Sequence, residues 1–277
     1  MTMTNIADTT RLHNGVEMPW LGLGVWRSQP GEETEHAVQW ALESGYRSID
    51  TAAIYGNETD VGKGVAASGV PRKEIFVTTK LWNDDQGYDS TLKAFDTSLK
   101  RLGMDYVDLY LIHWPVKGKF KDTWKALETI YEQGRARAIG VSNFLVHHLE
   151  DLMAGAKVKP MVDQVEFHPR LRQPDLLTFC MENDIQLEAW APIMKGRVTE
   201  LKPAVEIGAK YGKSAVQVVL RWEVQQGVVV IPKSVHKERI ESNAQIFDFE
   251  LSAEDMAALD ALNTGERIGP HPDHIEF

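Results

Sequence analysis

The sequence is short of sulfur, of basic charge and of long apolar runs. A single cysteine, Cys180, stands in 277 residues, so no internal disulfide can form and no paired-thiolate metal site is available. That suits a reducing compartment, and the cytoplasm is the expected location. Cys180 falls in a stretch that reads as helix, where a free cysteine packs as a small apolar side chain. Lysine and arginine number 30 against 40 aspartates and glutamates, for a formal net charge of -10. Nucleic acid and anionic membranes are therefore not expected partners, and an anionic ligand has to meet a local cluster of basic side chains. No apolar run approaches the ~18 residues of a membrane span. Met1 to Thr10 is polar, with neither a basic segment nor an apolar core, so no signal peptide is expected. Linkers and low-complexity stretches are missing too, which predicts one domain over 1–277.

What is present is a regular alternation. With 43% hydrophobic and 25% charged residues the composition is that of a soluble globular protein. Short apolar strands end near Gly24, Asp50, Lys80, His113, Gly140, Glu166, Trp190 and Ile231. Amphipathic helical stretches separate them, such as Ser90 to Leu102 with Leu92, Phe95, Leu99 and Leu102 on one face. The spacing of about 30 residues is one βα unit per repeat. Eight such units predict a (β/α)8 TIM barrel. Trp20 to Val25 reads as the first barrel strand. Before it, Asn14-Gly15 between Arg11 and Met18 signals a hairpin that plugs the barrel bottom. The long last interval predicts two helices, 201–211 and 214–226. Extra C-terminal helices follow, from Lys237 and over 252–262, the last opened by a capping box of Ser252 and Asp255.

In such a barrel the carboxyl ends of the strands build the site. Three successive strands deliver Asp50, Lys80 and His113 there, and the loop after Asp50 carries Tyr55. A lysine beside a tyrosine lowers the phenol's pKa, and an aspartate behind the lysine keeps it charged. Tyr55 then becomes a usable general acid. His113 adds a second hydrogen-bond donor for an oxygen that gains charge. This set suits carbonyl reduction, for which no side chain supplies a hydride, so a nicotinamide or flavin cofactor is required. Lys80 as a Schiff-base aldolase residue fits the same side chains and stays open at this point. Trp26, Trp82 and Trp114 follow strand ends and are expected to line a substrate pocket with His113, with Phe120 and residues 269–277 at its rim. Gly62-x-Gly64-x-x-Ala67 mimics a dinucleotide fingerprint but lies inside a helical stretch with no strand before it. His147-His148 and His271-x-x-His274 lack a matching carboxylate or cysteine set, read as surface histidines, and leave no metal site expected.

The stretches from Gly45 to Ala52, Leu111 to Pro115, Ile139 to Phe144 and Ile231 to Ser234, with the Lys80 strand, resemble the signature blocks of the aldo-keto reductase superfamily. The likeness runs from about Leu12 to Leu262. The loop Leu81 to Gly87 is most similar to the branch of bacterial 2,5-diketo-gluconate reductase and trypanosomatid prostaglandin F synthase. The resemblance implies a catalytic tetrad of Asp50, Tyr55, Lys80 and His113, with Tyr55 the proton donor. It implies NADPH as cofactor, a small carbonyl substrate and a monomer. Ser142, Asn143 and Gln164 would hold the nicotinamide carboxamide, and Trp190 would stack on the ring. Lys233, Ser234 and Arg239 would meet the 2′-phosphate and Asn243 the adenine. Two departures stand out: Ala191-Pro192-Ile193-Met194 replaces Ser-Pro-Leu-Gly, and Ser242 replaces a glutamate. In channel β-subunits the same fold serves as a partner protein, so a cofactor-sensing module with little turnover is the alternative.

Overall fold

The computed structural model describes residues 3–274. Met1, Thr2 and residues 275–277 fall outside the described residues, and with them the last three positions of the expected rim. The chain opens with the hairpin, β1 (Thr9–Arg11) antiparallel to β2 (Glu17–Pro19). Its turn is closed by the Gly15 N–H on the Leu12 carbonyl at 2.8 Å, with Gly15 at φ +88°, where only glycine is unstrained. Asn14 donates to the Arg137 carbonyl and Thr10 to the Gln186 side chain. Both partners begin barrel strands, so the hairpin closes the amino-terminal end, as the Asn-Gly signal predicts.

Eight parallel strands then alternate with helices. They are β3 (Leu23–Gly24), β4 (Ser48–Asp50), β5 (Phe76–Leu81), β6 (Val107–Ile112), β7 (Ala136–Ser142), β8 (Val162–Glu166), β9 (Gln186–Trp190) and β10 (Val229–Val230). Each pairs with the next in chain order. The first and last meet through bridges from Leu21 to Val230 and from Gly24 to Lys233. The Gly22 N–H on the Val230 carbonyl and the Val230 N–H on the Trp20 carbonyl complete the seam. This is a (β/α)8 barrel, and every strand ends within two residues of its expected position. The first strand is shorter than the expected 20–25. A Cβ on Gly24 would lie 2.8 Å from the Ile231 carbonyl oxygen, so the seam needs a bare backbone there.

The helices between strands are α1 (Glu32–Glu43), α2 (Glu58–Ala67), α3 (Tyr88–Leu102), α4 (Phe120–Glu132), α5 (Val146–Met153), α6 (Pro174–Glu182), α7 (Lys202–Tyr211) and α8 (Ala215–Gln225). α9 (Lys237–Ala244) and α10 (Ala253–Asp260) follow β10. Their apolar faces meet the outward strand residues. On α3, Phe95, Leu99 and Leu102 are buried and Gly103 ends the helix in left-handed geometry, the usual glycine stop. Cys180 on α6 is fully buried, as a small apolar residue would be. Gly62 and Gly64 serve packing: a Cβ on Gly62 would sit 2.0 Å from the Leu102 carbonyl oxygen, and one on Gly64 2.8 Å from Val38 Cβ. They let α2 seat closely on α3 and α1. The capping box is half made. Ser252 Oγ accepts from the Asp255 N–H, but the Asp255 carboxylate takes Lys210 and Tyr211 instead of the Ser252 backbone.

Candidate active site

The carboxyl ends of β4, β5 and β6 put three of the four expected groups side by side, and the loop after β4 adds the fourth. Lys80 is fully buried, and its Nζ donates to Asp50 Oδ1 at 2.6 Å and to the Thr51 carbonyl at 2.9 Å. The same nitrogen lies 3.4 Å from the Tyr55 hydroxyl. The His113 ring meets Tyr55 edge to face, with centroids 5.8 Å apart. Asn57 holds this loop from below: it is fully buried, accepts from Thr51 Oγ1 and donates to the Val25 carbonyl. Asn57 was not expected from the sequence, because its residue type signals no chemistry.

Burial and charge set the protonation of each group. Burial would push the Lys80 ammonium down, but the charge of Asp50 and its hydrogen bond outweigh it and hold it above its ordinary value. Burial, with Lys80 adding to it, pushes His113 well below its usual value, so the ring is neutral near pH 7. Tyr55 corrects the expectation of a lowered phenol. Burial raises it, Lys80 draws it down, Asp50 and Glu188 raise it again, and the balance lies above the ordinary value. The lysine acts in the expected direction, but desolvation of the phenolate is the larger effect. Tyr55 is therefore held protonated.

Glu188 is a member of this group that the sequence reading missed. Gln164 Nε2 donates to Asp50 Oδ2 and to Glu188 Oε2, both at 2.8 Å. Burial and the facing Asp50 push Glu188 up to about 8. Its signal was the period of two along β9, where Glu188 shares a face with Trp190 at the barrel mouth.

Ser142, Asn143, Gln164 and Trp190 come together. Asn143 sits in left-handed geometry at φ +63°, which Asn tolerates better than most residues. It donates to the His113 carbonyl and to Ser142 Oγ, and accepts from Trp190 Nε1 at 2.8 Å. Ser142 Oγ donates to the Gln164 carbonyl. The donor hydrogens of the three are engaged, so an incoming carboxamide finds acceptors on Asn143 and Gln164. The Trp190 ring is closely backed by the C-terminal segment, since a Cβ on Gly269 would lie 2.4 Å from it. Fully buried Glu166 pins that segment by accepting from the Ile268 and Gly269 N–H groups.

Lys233 and Ser234 lie between β10 and α9, and Arg239 and Asn243 stand four residues apart on α9. Ser234 Oγ accepts from the His236 N–H just before α9. Among the described residues neither Lys233 nor Arg239 makes an ion pair. Asn243 is buried on α9 and Arg239 is exposed.

The three tryptophans differ. Trp82 meets His113 edge to face at 5.4 Å. Trp114 is buried and lies parallel to His113 at 6.5 Å, with its carbonyl accepting from Gln86. Trp26 is 43% exposed between Arg27 and Lys195. Phe120 is corrected as a rim residue: it is buried at the start of α4 against Phe144 and His148. A cavity of about 230 Å³ lies at the other end of the barrel, lined by Leu12, His13, Cys180 and Ile185, far from these groups. The expectation for His147 and His148 needs correction in one respect, because Asp273 places a carboxylate beside both.

Residues 20–264 match the model of the Aldo/keto reductase family. The chain belongs to that family. It is 58% identical over 274 residues to glyoxal reductase of Bacillus subtilis, with 99% of each chain covered. An aldo-keto reductase from a Medee basin deep-sea metagenome superposes with a TM-score of 0.95 at 50% identity, covering 97% of this chain and 100% of that one. The D53A mutant of Gox0644, solved with NADPH, superposes with a TM-score of 0.93 at 44% identity, covering 97% and 98%. The barrel, the resemblance read in the signature blocks and the assignment as an oxidoreductase agree with these findings.

Proposed function

We propose that this aldo/keto reductase reduces aldehydes and small ketones, α-dicarbonyls among them, to alcohols with NADPH. The observation that carries the reading is the Tyr55 hydroxyl 3.4 Å from a buried Lys80 that is itself 2.6 Å from Asp50. NADPH, when bound, supplies the hydride. Tyr55 donates its proton to the carbonyl oxygen, and Lys80 stabilises the phenolate left behind. Asp50 keeps Lys80 charged and aimed. Neutral His113, edge to face with both Tyr55 and Trp82, would donate a ring N–H to the substrate oxygen beside the Tyr55 hydroxyl. Trp26, Trp82 and Trp114 form the apolar side of that seat.

The cofactor residues fit NADPH. Asn143 and Gln164 offer acceptors to its carboxamide and Trp190 a ring face to its nicotinamide. Lys233 and Arg239, free of ion pairs among the described residues, with Ser234, supply what a 2′-phosphate needs in an acidic protein. Asn243 would meet the adenine. The name of the Bacillus subtilis relative supports dicarbonyl substrates. A monomer is what the family resemblance implies, and the lone buried Cys180 suits the cytoplasm.

The test is NADPH oxidation followed by absorbance with glyoxal, methylglyoxal and a panel of aldehydes and keto-sugars. Substrate-dependent loss, much slower with NADH, is the expected result. No loss across the panel, with cofactor binding shown by quenched tryptophan fluorescence, would overturn it in favour of a sensing module.

A further inference from the structure

His147 and His148 stand in the first turn of α5, and Asp273 lies more than a hundred residues later in the C-terminal segment. The fold brings them together. Nε2 of His147 and Nε2 of His148 lie 3.0 and 3.2 Å from one oxygen, Oδ1 of Asp273. The three donor atoms fall within 4.8 Å of one another. The two rings are 4.0 Å apart. His271 and His274 flank the same carboxylate in sequence, their own rings 4.8 Å apart. We propose that His147, His148 and Asp273 form a binding site for a divalent transition cation of the zinc type, which staples the C-terminal segment to the start of α5.

Two imidazole nitrogens and one carboxylate are a donor set that zinc accepts, with a further position left for water or another imidazole. His271 and His274 are the imidazoles at hand. The ligands are pre-gathered, since both Nε2 atoms already converge on one oxygen. The geometry asks for one concession. His148 Nδ1 accepts from the Leu145 N–H, which leaves its proton on Nε2. A cation on Nε2 moves that proton to Nδ1, and the Leu145 N–H turns to water. Leu145 is only partly buried, so water can reach it. A helix start repels a cation, and the Asp273 carboxylate offsets this. Asp151 on the same helix is engaged by Lys121 at 2.6 Å.

The segment that the cation would hold is the one whose Ile268 and Gly269 rest on Glu166 and Trp190. Metal and Glu166 would then fix it at two points. The site stands on the ligand geometry and does not depend on the reductase reading.

Zn²⁺ titration into the full, tag-free, chelator-stripped chain tests the proposal, by calorimetry and by competition with a chromophoric indicator. One Zn²⁺ per chain is expected, weakened at least tenfold by His147→Ala and by Asp273→Asn, and unchanged by His36→Ala on α1. His147 and Asp273 are 59% and 35% exposed, so neither change threatens folding. Zn²⁺ should also slow hydrogen exchange across residues 268–274 in the native chain and not in Asp273→Asn. No uptake at micromolar Zn²⁺, or affinity in both variants equal to that of the native chain, would overturn the site. Bound Zn²⁺ without slowed exchange would overturn the staple.

Discussion

Tyr55 is held by two opposed forces, and their balance decides what it does. Burial keeps the proton on the phenol, while Lys80 lies ready to stabilise the phenolate. A proton donor that cannot ionise idly, yet leaves a stabilised anion when it gives up its proton, suits a single transfer per turnover. Tyr55→Phe should therefore cut turnover by about a hundredfold to ten-thousandfold, the usual worth of a positioned general acid. Cofactor affinity, read by fluorescence titration, should stay near normal. An equal loss of affinity would make Tyr55 structural. Asp50, Lys80 and His113 were legible in sequence because ionisable residues at apolar strand ends have no packing role to play, and Tyr55 followed from its place in the loop after Asp50. Glu188 was not singled out, because an acid inside a strand reads as a solvent-facing residue until its face is fixed. The sign of the Tyr55 shift was not legible either, because desolvation depends on how completely the barrel mouth closes over the ring.

At the scale of elements, the helices seat through bare backbone. α2 meets α3 where a Cβ on Gly62 would lie 2.0 Å from a carbonyl oxygen. Backbone cannot swing aside as a side chain can, so Gly62→Ala should cost about 1–3 kcal/mol, the range for overpacking. Urea unfolding would read it as a lowered midpoint with unchanged slope. The β10–α9 junction makes a separate claim. Lys233→Ala should weaken NADPH at least tenfold and leave NADH nearly unchanged, because only the 2′-phosphate distinguishes them. Equal weakening of both would sink the phosphate assignment. Strand ends were readable because apolar runs punctuate the chain at a regular period. The eight-residue α5 was passed over, and its meeting with Asp273 depends on a contact between distant parts of the chain. The loop after β9 shows another limit. Met194 replaces the family's glycine and still takes φ +51° with its side chain fully buried. The departure was visible, but its accommodation by burial was not.

For the whole molecule, stability should fall as pH rises from 6.5 to 8.5. Burial lifts Asp163 and Glu223 well above the usual carboxylate range and Glu188 to about 8. A carboxyl with a raised folded pKa contributes stability that is whole below its unfolded value, near 4.5 for glutamate. That contribution is lost as pH climbs through the folded value. The loss for one such group is at most ~1.4 kcal/mol per pH unit. Below pH 6.5 the buried neutral His113 acts in the opposite sense, because protonation then favours the unfolded chain. Glu188→Gln should thus flatten the pH dependence of the urea midpoint between 6.5 and 8.5, and an unaltered slope would count against the raised Glu188. The seam of the barrel has a different consequence, for synthesis. Leu21 bonds across to Val230, so at ~5–20 residues per second the first strand leaves the ribosome ~10–40 s before its partner exists. Through that interval its outer edge is unpaired, and an unpaired edge is a template for association with other chains. Here β3 and β10 are each only two residues long. So short an edge offers a nascent neighbour too few N–H and C=O groups to hold, and the barrel stays open to its own last strand.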